Sequence, residues 1–364
     1  MSCDFIALAQ PGVQKLSPYV PGKPVDELAR ELNMDPASIV KLASNENPLG
    51  PSPKALAAIR AELDELTRYP DGNGFSLKTL LAERCGVTTA QVTLGNGSND
   101  ILELVARAYL APGLNAVFSE HAFAVYPIAT QAVGAQAKVV PAVNFGHDLP
   151  AMLEAITERT RVILLCTPNN PTGPVLTTAE VEDFLARVPA HILVVIDEAY
   201  VEFVRDEDAV KGLEMYRKHA NVVVLRTFSK AHGLANLRVG YSVSQPEITK
   251  ALRTVATPFA VSTVAEEAAI ASLEHLDEVL ERVQIVVDER ERVAAALAEA
   301  GWDLPSSQAN FVWLPLGERT QAFAEAAQDR ALSVRAFAGE GVRVSIGEKE
   351  ANDRFLEVAR DFLT

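Results

Sequence analysis

Lys230 is the side chain in this sequence best suited to covalent chemistry. It follows an apolar run that ends at Arg226, and hydroxyl-bearing residues flank it. An amine becomes a nucleophile only when desolvation or a neighbouring cation depresses its pKa. Thr227, Ser229 and Arg238 would offer hydrogen-bond donors to a phosphate beside such an amine. A lone lysine of this kind is usually a surface residue, so only its neighbours in the fold could give it a function.

Two other segments place polar residues at the ends of apolar runs. Asp197 follows the run 194–196, where a buried carboxylate is costly unless a cation or donor faces it. It could pair with a protonated pyridine nitrogen and keep that ring an electron sink, or it could cap a strand–helix junction. Asn170 lies in the segment 166–173, whose prolines would fix its amide to donate to a phenolate oxygen. A plain turn is the alternative there.

The segment 95–100 has the composition of an anion-binding turn. Gly97 lets the backbone approach a ligand, and the helix expected after it offers free N–H groups to an anion. Ser98 or Asn99 could equally serve as the cap of that helix.

Alternating strand and helix patterns would bring these segments together. Continuous apolar runs separated by helices predict a mostly parallel sheet covered on both faces. Ligands of such sheets bind beyond the carboxyl ends of the strands. The predicted strands are 91–94, 116–119, 138–141, 162–166, 191–197 and 221–226. The predicted helices are 99–110, 126–132, 149–155 and 179–187.

A change of composition after Thr257 predicts a second, smaller α+β unit. One long alanine-rich helix over 262–300 would precede strands at 310–314, 332–335 and 341–346 and a helix at 348–362. Four prolines within the first 24 residues predict an extended arm with one short helix. We therefore expect an arm and part of the small domain in 1–44, a large domain in 45–257 and the small domain in 258–364.

Bulk composition argues against several classes of protein. A net charge of −15 disfavours a nucleic-acid-binding surface. No signal-peptide pattern or membrane-spanning apolar run is present, so we expect a cytoplasmic protein without a membrane partner. The three cysteines are widely spaced and the histidines are scattered, so neither a disulfide framework nor a metal site is expected.

Taken in order, the segments resemble those of the fold type I pyridoxal-phosphate aminotransferases, and within them the histidinol-phosphate branch. The resemblance covers essentially the whole chain. It rests on the motifs KLASNENPLGPSPKA, RYPDG, GNGSNDIL, CTPNNPTG, IDEAY, RTFSKAHGLANLRVGY, SQANFVWL and VRVSIG. It implies pyridoxal 5′-phosphate as the cofactor and an α/β fold. That fold has a large domain with a mostly parallel seven-stranded sheet and a smaller α+β domain.

The resemblance also implies a role for each residue of the cofactor site. Lys230 would hold the cofactor covalently and later move the reacting proton. Asp197 would pair with the ring nitrogen, and Tyr200 and Asn170 would bond the ring's 3-oxygen. Phe123 would stack on the ring, with a core phenylalanine as the alternative. The phosphate would lie among Gly97, Ser98, Asn99, Thr227, Ser229 and Arg238.

Partner and substrate residues follow from the same resemblance. Tyr69 matches a tyrosine that reaches the phosphate from the partner subunit, which implies a homodimer with active sites at the interface. Arg343 matches the arginine that pairs with a substrate carboxylate or, in this branch, a phosphate. Arg335 matches a second anion-binding arginine. Tyr19 and Asn47 lie on segments that close over the substrate; for Tyr19 and Arg335 a surface role is the alternative.

The sequence departs from the family pattern in two ways. His232 stands where an aromatic residue is more common, and Asn236 stands where glycine or serine is common. The chain up to about Arg161 resembles bacterial histidinol-phosphate aminotransferases, whereas from about Pro189 it looks closer to aromatic amino acid aminotransferases. We hold a hybrid origin as a hypothesis beside ordinary drift.

The predicted function is amino transfer between histidinol phosphate and 2-oxoglutarate, a step of histidine biosynthesis. Transamination of aromatic amino acids in the same scaffold is the alternative. A lyase would differ only in which Cα bond stands perpendicular to the ring. A non-enzymatic regulator on this fold would be expected to carry a DNA-binding domain, and nothing before Tyr19 could form one.

Overall fold

Two separate β-sheets organise the chain in the computed structural model, which describes residues 3–363. The strands are β1 (Val40–Leu42), β2 (Val92–Gly95), β3 (Asn115–Ser119), β4 (Gln136–Val140), β5 (Thr160–Cys166), β6 (Leu193–Asp197), β7 (Val222–Thr227), β8 (Gly240–Val243), β9 (Phe311–Leu314), β10 (Leu332–Phe337) and β11 (Gly341–Ser345).

Fourteen helices surround these sheets within the described residues. They are α1 (Pro11–Gln14), α2 (Val25–Leu32), α3 (Pro53–Glu62), α4 (Phe75–Cys85), α5 (Ser98–Tyr109), α6 (Val125–Ala132), α7 (Leu149–Glu154), α8 (Thr178–Arg187), α9 (Gly212–Lys218), α10 (Pro246–Val255), α11 (Thr263–Glu274), α12 (Leu276–Glu299), α13 (Thr320–Asp329) and α14 (Lys349–Leu363). None of the helices between residues 3 and 363 is long and apolar enough to cross a membrane.

The larger sheet has seven strands in the order β2-β8-β7-β6-β5-β3-β4. All neighbouring pairs are parallel except those made by β8, which runs antiparallel to β2 and β7. In β6 every position is buried, and alternate side chains enter two different hydrophobic cores on opposite faces. This confirms the predicted mostly parallel seven-stranded sheet covered on both faces.

Strand β8 was missing from the sequence prediction. It is only four residues long and contains a glycine and a serine, so it lacks the apolar run that marks the other strands. Its antiparallel pairing with β7 sets Gly240 opposite Thr227. The segment between these residues, which contains Lys230, therefore leaves and returns at the carboxyl end of β7.

The smaller sheet has four strands in the order β1-β10-β11-β9. It has its own core, to which Phe311, Phe323 and Phe355 contribute large buried side chains. Strand β1 pairs in parallel with β10, so residues from near the start of the chain complete a sheet formed by its C-terminal part.

The prediction of one continuous helix over 262–300 is wrong. Two helices, α11 and α12, meet at His275, whose φ of −115° and ψ of 46° are not helical. The break has a physical reason, because the two helices serve different cores. Ala268 of α11 packs in the core of the large sheet, whereas Val283 of α12 packs in the core of the small sheet. We propose that the small domain resumes near His275 rather than at residue 258.

Gly240 lies where β8 passes close to the start of α5. A Cβ built on Gly240 would lie 2.6 Å from the Ser98 nitrogen and 3.0 Å from the Arg226 carbonyl oxygen. Both are backbone atoms that cannot rotate away, so Gly240→Ala should lower the free energy of unfolding by about 1–3 kcal/mol. Denaturant unfolding of the variant and the parent measures this difference. Gly146→Ala is the control, since its Cβ would meet nothing closer than 3.6 Å; an equal loss in both variants would contradict the steric explanation.

Candidate active site

A cavity of about 260 Å³ opens at the carboxyl ends of β5, β6 and β7. Residues from both sheets line it, because the segment after β1 and the strand β11 face the ends of these strands. Most of the residues singled out from the sequence meet here. The predicted site residues that line the cavity are Tyr19, Ser98, Asn99, Phe123, Asn170, Asp197, Tyr200, Thr227, Ser229, Lys230, Arg238 and Arg343.

The amine of Lys230 faces this cavity and has a shifted pKa. Its Nζ donates a hydrogen bond to the Ser44 carbonyl oxygen at 3.1 Å and lies 5.9 Å from the centre of the Tyr200 ring. Burial, with the positive charge of Arg343 adding to its effect, lowers the pKa of Lys230 to about 7. Both charge states of the amine are therefore accessible near neutral pH, as a nucleophile or proton carrier requires.

Asp197 places a buried carboxylate at the end of β6. Its Oδ2 accepts a hydrogen bond from the Tyr126 hydroxyl at 2.9 Å, while its Oδ1 is buried without a partner among the described residues. Burial raises the pKa of Asp197 to about 6, and the Tyr126 hydrogen bond opposes that rise. An unpaired buried carboxylate oxygen is costly, so this position calls for a cationic or N–H donor in the cavity.

An anion site lies at the start of α5. The first N–H groups of this helix have no carbonyl partners within it and carry the positive end of its dipole. Beside them, Arg238 donates through Nη1 to the Ser229 hydroxyl at 3.2 Å. Gly97, which precedes α5 with a φ of 78°, does not line the cavity. A Cβ there would collide with the Arg238 guanidinium, so glycine is what allows this arginine to approach.

A second group of bonds surrounds Arg343. Its Nη1 donates to Asn170 Oδ1 at 2.5 Å and its Nη2 donates to the Ala43 carbonyl oxygen at 2.7 Å. The Nε of Arg343 is buried and finds no acceptor in the described part of the chain. The guanidinium is thus held in place while its Nε–H has no acceptor, which is an arrangement suited to an anionic ligand.

Besides Gly97, three predicted site residues do not line the cavity. Tyr69 is 83% exposed and stacks on Phe259 at 4.8 Å, so its predicted role toward a partner subunit stays a prediction. Arg335 donates to the Pro21 carbonyl oxygen at 3.1 Å and lies 5.9 Å from the Tyr19 ring. The Asn47 amide is used within the protein: it donates to the Ala231 carbonyl and accepts from the Leu49 N–H. Asn47 thus supports the lysine segment, and its predicted role toward the substrate stays a prediction.

Sequence reasoning missed Asn45 and Tyr126. Asn45 Nδ2 donates to the Tyr200 hydroxyl at 3.0 Å, and burial raises the pKa of that hydroxyl. The motif Asn-Glu-Asn at 45–47 did indicate that an asparagine of this segment could serve the site. Only the backbone distinguishes the two asparagines, because Asn45 adopts a left-handed φ of 54°. Tyr126 lies inside a correctly predicted helix, and no sequence signal shows that its hydroxyl meets Asp197.

The two residues that depart from the family pattern, His232 and Asn236, do not line the cavity. His232 is buried beneath the lysine segment, where its Nδ1 contacts the Ser272 hydroxyl at 2.7 Å and its ring lies 4.7 Å from Phe228. Burial lowers the pKa of His232 to about 4, so its ring is neutral and packs much as an aromatic residue would. Asn236 is exposed.

The geometry fits pyridoxal 5′-phosphate. The free Asp197 oxygen matches a protonated pyridine nitrogen, and the start of α5 with Arg238 matches a phosphate. The amine of Lys230, whose pKa is lowered, is suited to react with an aldehyde. These three requirements are met by residues of three different strand ends, β2, β6 and β7.

Comparison with known proteins gives the same picture. Residues 37–358 match the family described as aminotransferase class I and II. Histidinol-phosphate aminotransferase 2 of Pseudomonas fluorescens is 60% identical, with 98% of each chain covered. An aromatic amino acid aminotransferase of Streptomyces coelicolor is 50% identical, with 94% of each chain covered. The crystal structure of histidinol-phosphate aminotransferase from Sinorhizobium meliloti in complex with pyridoxal-5′-phosphate gives a TM-score of 0.87, with 28% identity and 97% of each chain covered.

Tyr126→Phe should weaken cofactor binding, because it removes the donor that helps to keep Asp197 ionised. Loss of a hydrogen bond to a charged group predicts about a tenfold higher Kd for pyridoxal phosphate. Fluorescence titration of the cofactor-free protein measures this. Tyr109→Phe, at the opposite end of α5 from the cavity, is the control and should leave the Kd unchanged. Equal Kd values for the Tyr126 variant and the parent would show that this hydroxyl does not tune Asp197.

The lowered pKa of Lys230 predicts how the cofactor-free protein captures pyridoxal phosphate. The neutral amine reacts, so the rate of covalent capture should rise with pH through about 7 and then level off. An ordinary lysine, with a pKa of about 10.4, would give a rate that still rises at pH 9. Borohydride trapping and mass spectrometry measure the rate, with Lys230→Ala as the control that should show no capture. A rate that keeps rising beyond pH 9 would contradict the assigned pKa.

Proposed function

This chain belongs to the class I and II aminotransferases, and from that membership we propose that it transfers the amino group of histidinol phosphate to 2-oxoglutarate. It is an enzyme of fold type I that depends on pyridoxal 5′-phosphate and acts on small molecules. The observation that carries the choice of substrate is 58–60% identity, over nearly the whole chain, to proteins named histidinol-phosphate aminotransferase. The reaction would place the enzyme in histidine biosynthesis.

Different residues of the cavity would hold different parts of the cofactor. When bound, pyridoxal phosphate supplies an electron-withdrawing ring that accepts the electron pair released at the substrate's Cα. Asp197 would hold the protonated ring nitrogen through its free oxygen, and Phe123 would cover one face of the ring. Ser98, Asn99, Thr227, Ser229 and Arg238 would hold the phosphate. Asn170 and Tyr200 would bond the ring's 3-oxygen.

Lys230 would carry the proton at the reacting carbon. A group with a pKa near the operating pH both accepts and returns a proton readily, and the pKa of Lys230 is lowered to about 7. Its position 5.9 Å from the Tyr200 ring centre keeps it beside the proposed ring site. Partial burial of the amine also keeps bulk water from competing for that proton.

Arg343 would bind an anionic group of the substrate with the donor that no protein acceptor uses. Arg335 would add a second positive charge nearby, since both guanidinium groups lie close to the Phe337 ring. The distance to the ring centre is 5.3 Å for Arg335 and 6.0 Å for Arg343. Tyr19 lines the cavity and lies beside Arg335, so it would close over the bound substrate. A phosphate, which carries more charge than a carboxylate, makes fuller use of two arginines.

We also propose that the enzyme is a cytoplasmic homodimer. Tyr69, Phe75 and Phe259 are exposed apolar side chains on neighbouring segments, a pattern that suits contact with a second subunit. Tyr69 would then reach the phosphate of the partner's cofactor. The three cysteines are free, as is usual in a reducing compartment.

Transamination of aromatic amino acids is the second candidate. It is supported by relatives named aromatic amino acid aminotransferase at 48–50% identity over 94% of the chain. The hypothesis that the chain is a hybrid of the two subfamilies stays untested.

A paired rate measurement distinguishes the two substrates. L-Histidinol phosphate and L-phenylalanine are each offered with 2-oxoglutarate to the cofactor-loaded enzyme, and kcat/KM is measured for both. We expect at least a hundredfold preference for histidinol phosphate, which corresponds to roughly 2.7 kcal/mol of discrimination. Arg335→Gln should reduce kcat/KM for histidinol phosphate more than for phenylalanine. A preference of the parent enzyme for phenylalanine would overturn the proposed substrate.

A further inference from the structure

We propose that His121 and Glu340 form a clamp that joins the two sheets across the cavity and so positions Phe123 and Arg343. His121 Nδ1 and Glu340 Oε2 lie 2.7 Å apart. His121 belongs to the segment between β3 and α6, and Glu340 to the turn between β10 and β11. The proposal rests on the proposed function in one respect, namely that Phe123 faces the cofactor and Arg343 binds the substrate's anionic group.

The histidine end of the clamp is connected to the cofactor site. His121 adopts a left-handed φ of 52°, which a residue with a side chain keeps only when its surroundings fix it. The Asn169 amide donates to the His121 carbonyl at 2.8 Å and supplies part of that fixation. Two residues further on, Phe123 lines the cavity and packs edge-on against Tyr126, with 5.8 Å between ring centres. A displaced His121 would therefore displace the ring expected to stack on the cofactor.

The glutamate end is connected to the substrate site. Glu340 lies in the tight turn that begins at Phe337, whose carbonyl accepts the Glu340 N–H at 2.9 Å. The Phe337 ring lies 5.3 Å from the Arg335 guanidinium and 6.0 Å from that of Arg343, and it packs against Trp313. Holding Glu340 thus holds the ring that supports both arginines.

The charge of the clamp depends on pH. The hydrogen bond to Glu340 raises the pKa of His121 above its usual value; burial opposes this, while the negative charges of Glu340 and Glu120 add to it. Glu120 comes from the same segment as His121, and Glu340 comes from the facing turn. Because the pKa is raised in the folded protein, the charged pair is complete at lower pH and is lost as pH rises through the raised pKa.

This pair differs from many of the other ion pairs because it connects segments of two different sheets. Several of those, such as Arg107–Glu103, connect residues within one helix and cannot align two sheets. His121 and Glu340 are only partly exposed, at 21% and 42% of their side chains, so solvent weakens their interaction without abolishing it.

The test compares Michaelis constants of the holoenzyme over a range of pH. L-Glutamate is used in its half-reaction beside L-histidinol phosphate, and the parent is compared with Glu340→Gln. For a partly exposed pair we expect KM of the variant to be about two- to fivefold higher at pH 6. The ratio of the two KM values should approach one by pH 9, while kcat changes little. A ratio that stays constant with pH, or a loss confined to kcat, would overturn the proposal.

Two further measurements make the test specific. His121→Asn combined with Glu340→Gln should raise KM no more than either single change, because both remove the same interaction. In nuclear magnetic resonance titrations, the His121 ring should titrate at lower pH in Glu340→Gln than in the parent. Glu103→Gln is the matched control and should change neither KM nor that titration. Additive effects of the two changes on KM, or an unchanged titration, would count against the clamp.

The glutamate half-reaction separates this proposal from the proposed substrate. If histidinol phosphate is not turned over but glutamate is, the substrate assignment fails while the KM ratio for glutamate still tests the clamp. If histidinol phosphate is a good substrate and the KM ratios do not change with pH, only the proposed clamp is contradicted.

Discussion

The unpaired oxygen of Asp197 is the constraint on which the site depends. A buried carboxylate that lacks a partner is unfavourable by a few kcal/mol, so it persists only where something else compensates. Here β5 and β7 hold the end of β6 from both sides, and Tyr126 satisfies one carboxylate oxygen. The other oxygen is left for a ligand. We therefore propose that this one carboxylate provides much of the selectivity for a cationic ring nitrogen.

The second organising feature is that the cavity belongs to two cores. The large sheet supplies the anion site at α5, the carboxylate and the lysine, whereas the small sheet supplies Arg343. Both apolar and polar contacts cross between the two sheets, and the edge-on contact of Tyr200 with Phe311 is an apolar one. Among the polar contacts are those of Arg343 with Asn170 and of His121 with Glu340. Small relative movements of the sheets would thus change the substrate side of the cavity more than the cofactor side.

Sequence reasoning predicted which residues meet in the cavity better than it predicted the architecture around them. Asp197 and Lys230 were predictable because each lies at or just after the end of an apolar strand, and Arg238 because it follows Lys230 in the same segment and could donate to a phosphate. Strand β8 was not, since its pairing comes from its two neighbours and not from its own composition. The break at His275 was also missed, because an alanine-rich helical pattern does not reveal which of two cores it faces. The contact of Asn45 with Tyr200 was missed because it depends on a left-handed φ that a sequence does not display.

The pairing of β1 with β10 has a consequence for synthesis. Val40 meets Leu332, so the strand that emerges early from the ribosome must wait for nearly the whole chain before its partner exists. The seven strands of the other sheet, all between residues 92 and 243, have no such delay. A nascent chain can therefore complete the half of the protein that would bind the cofactor while the half that would bind the substrate is still being translated.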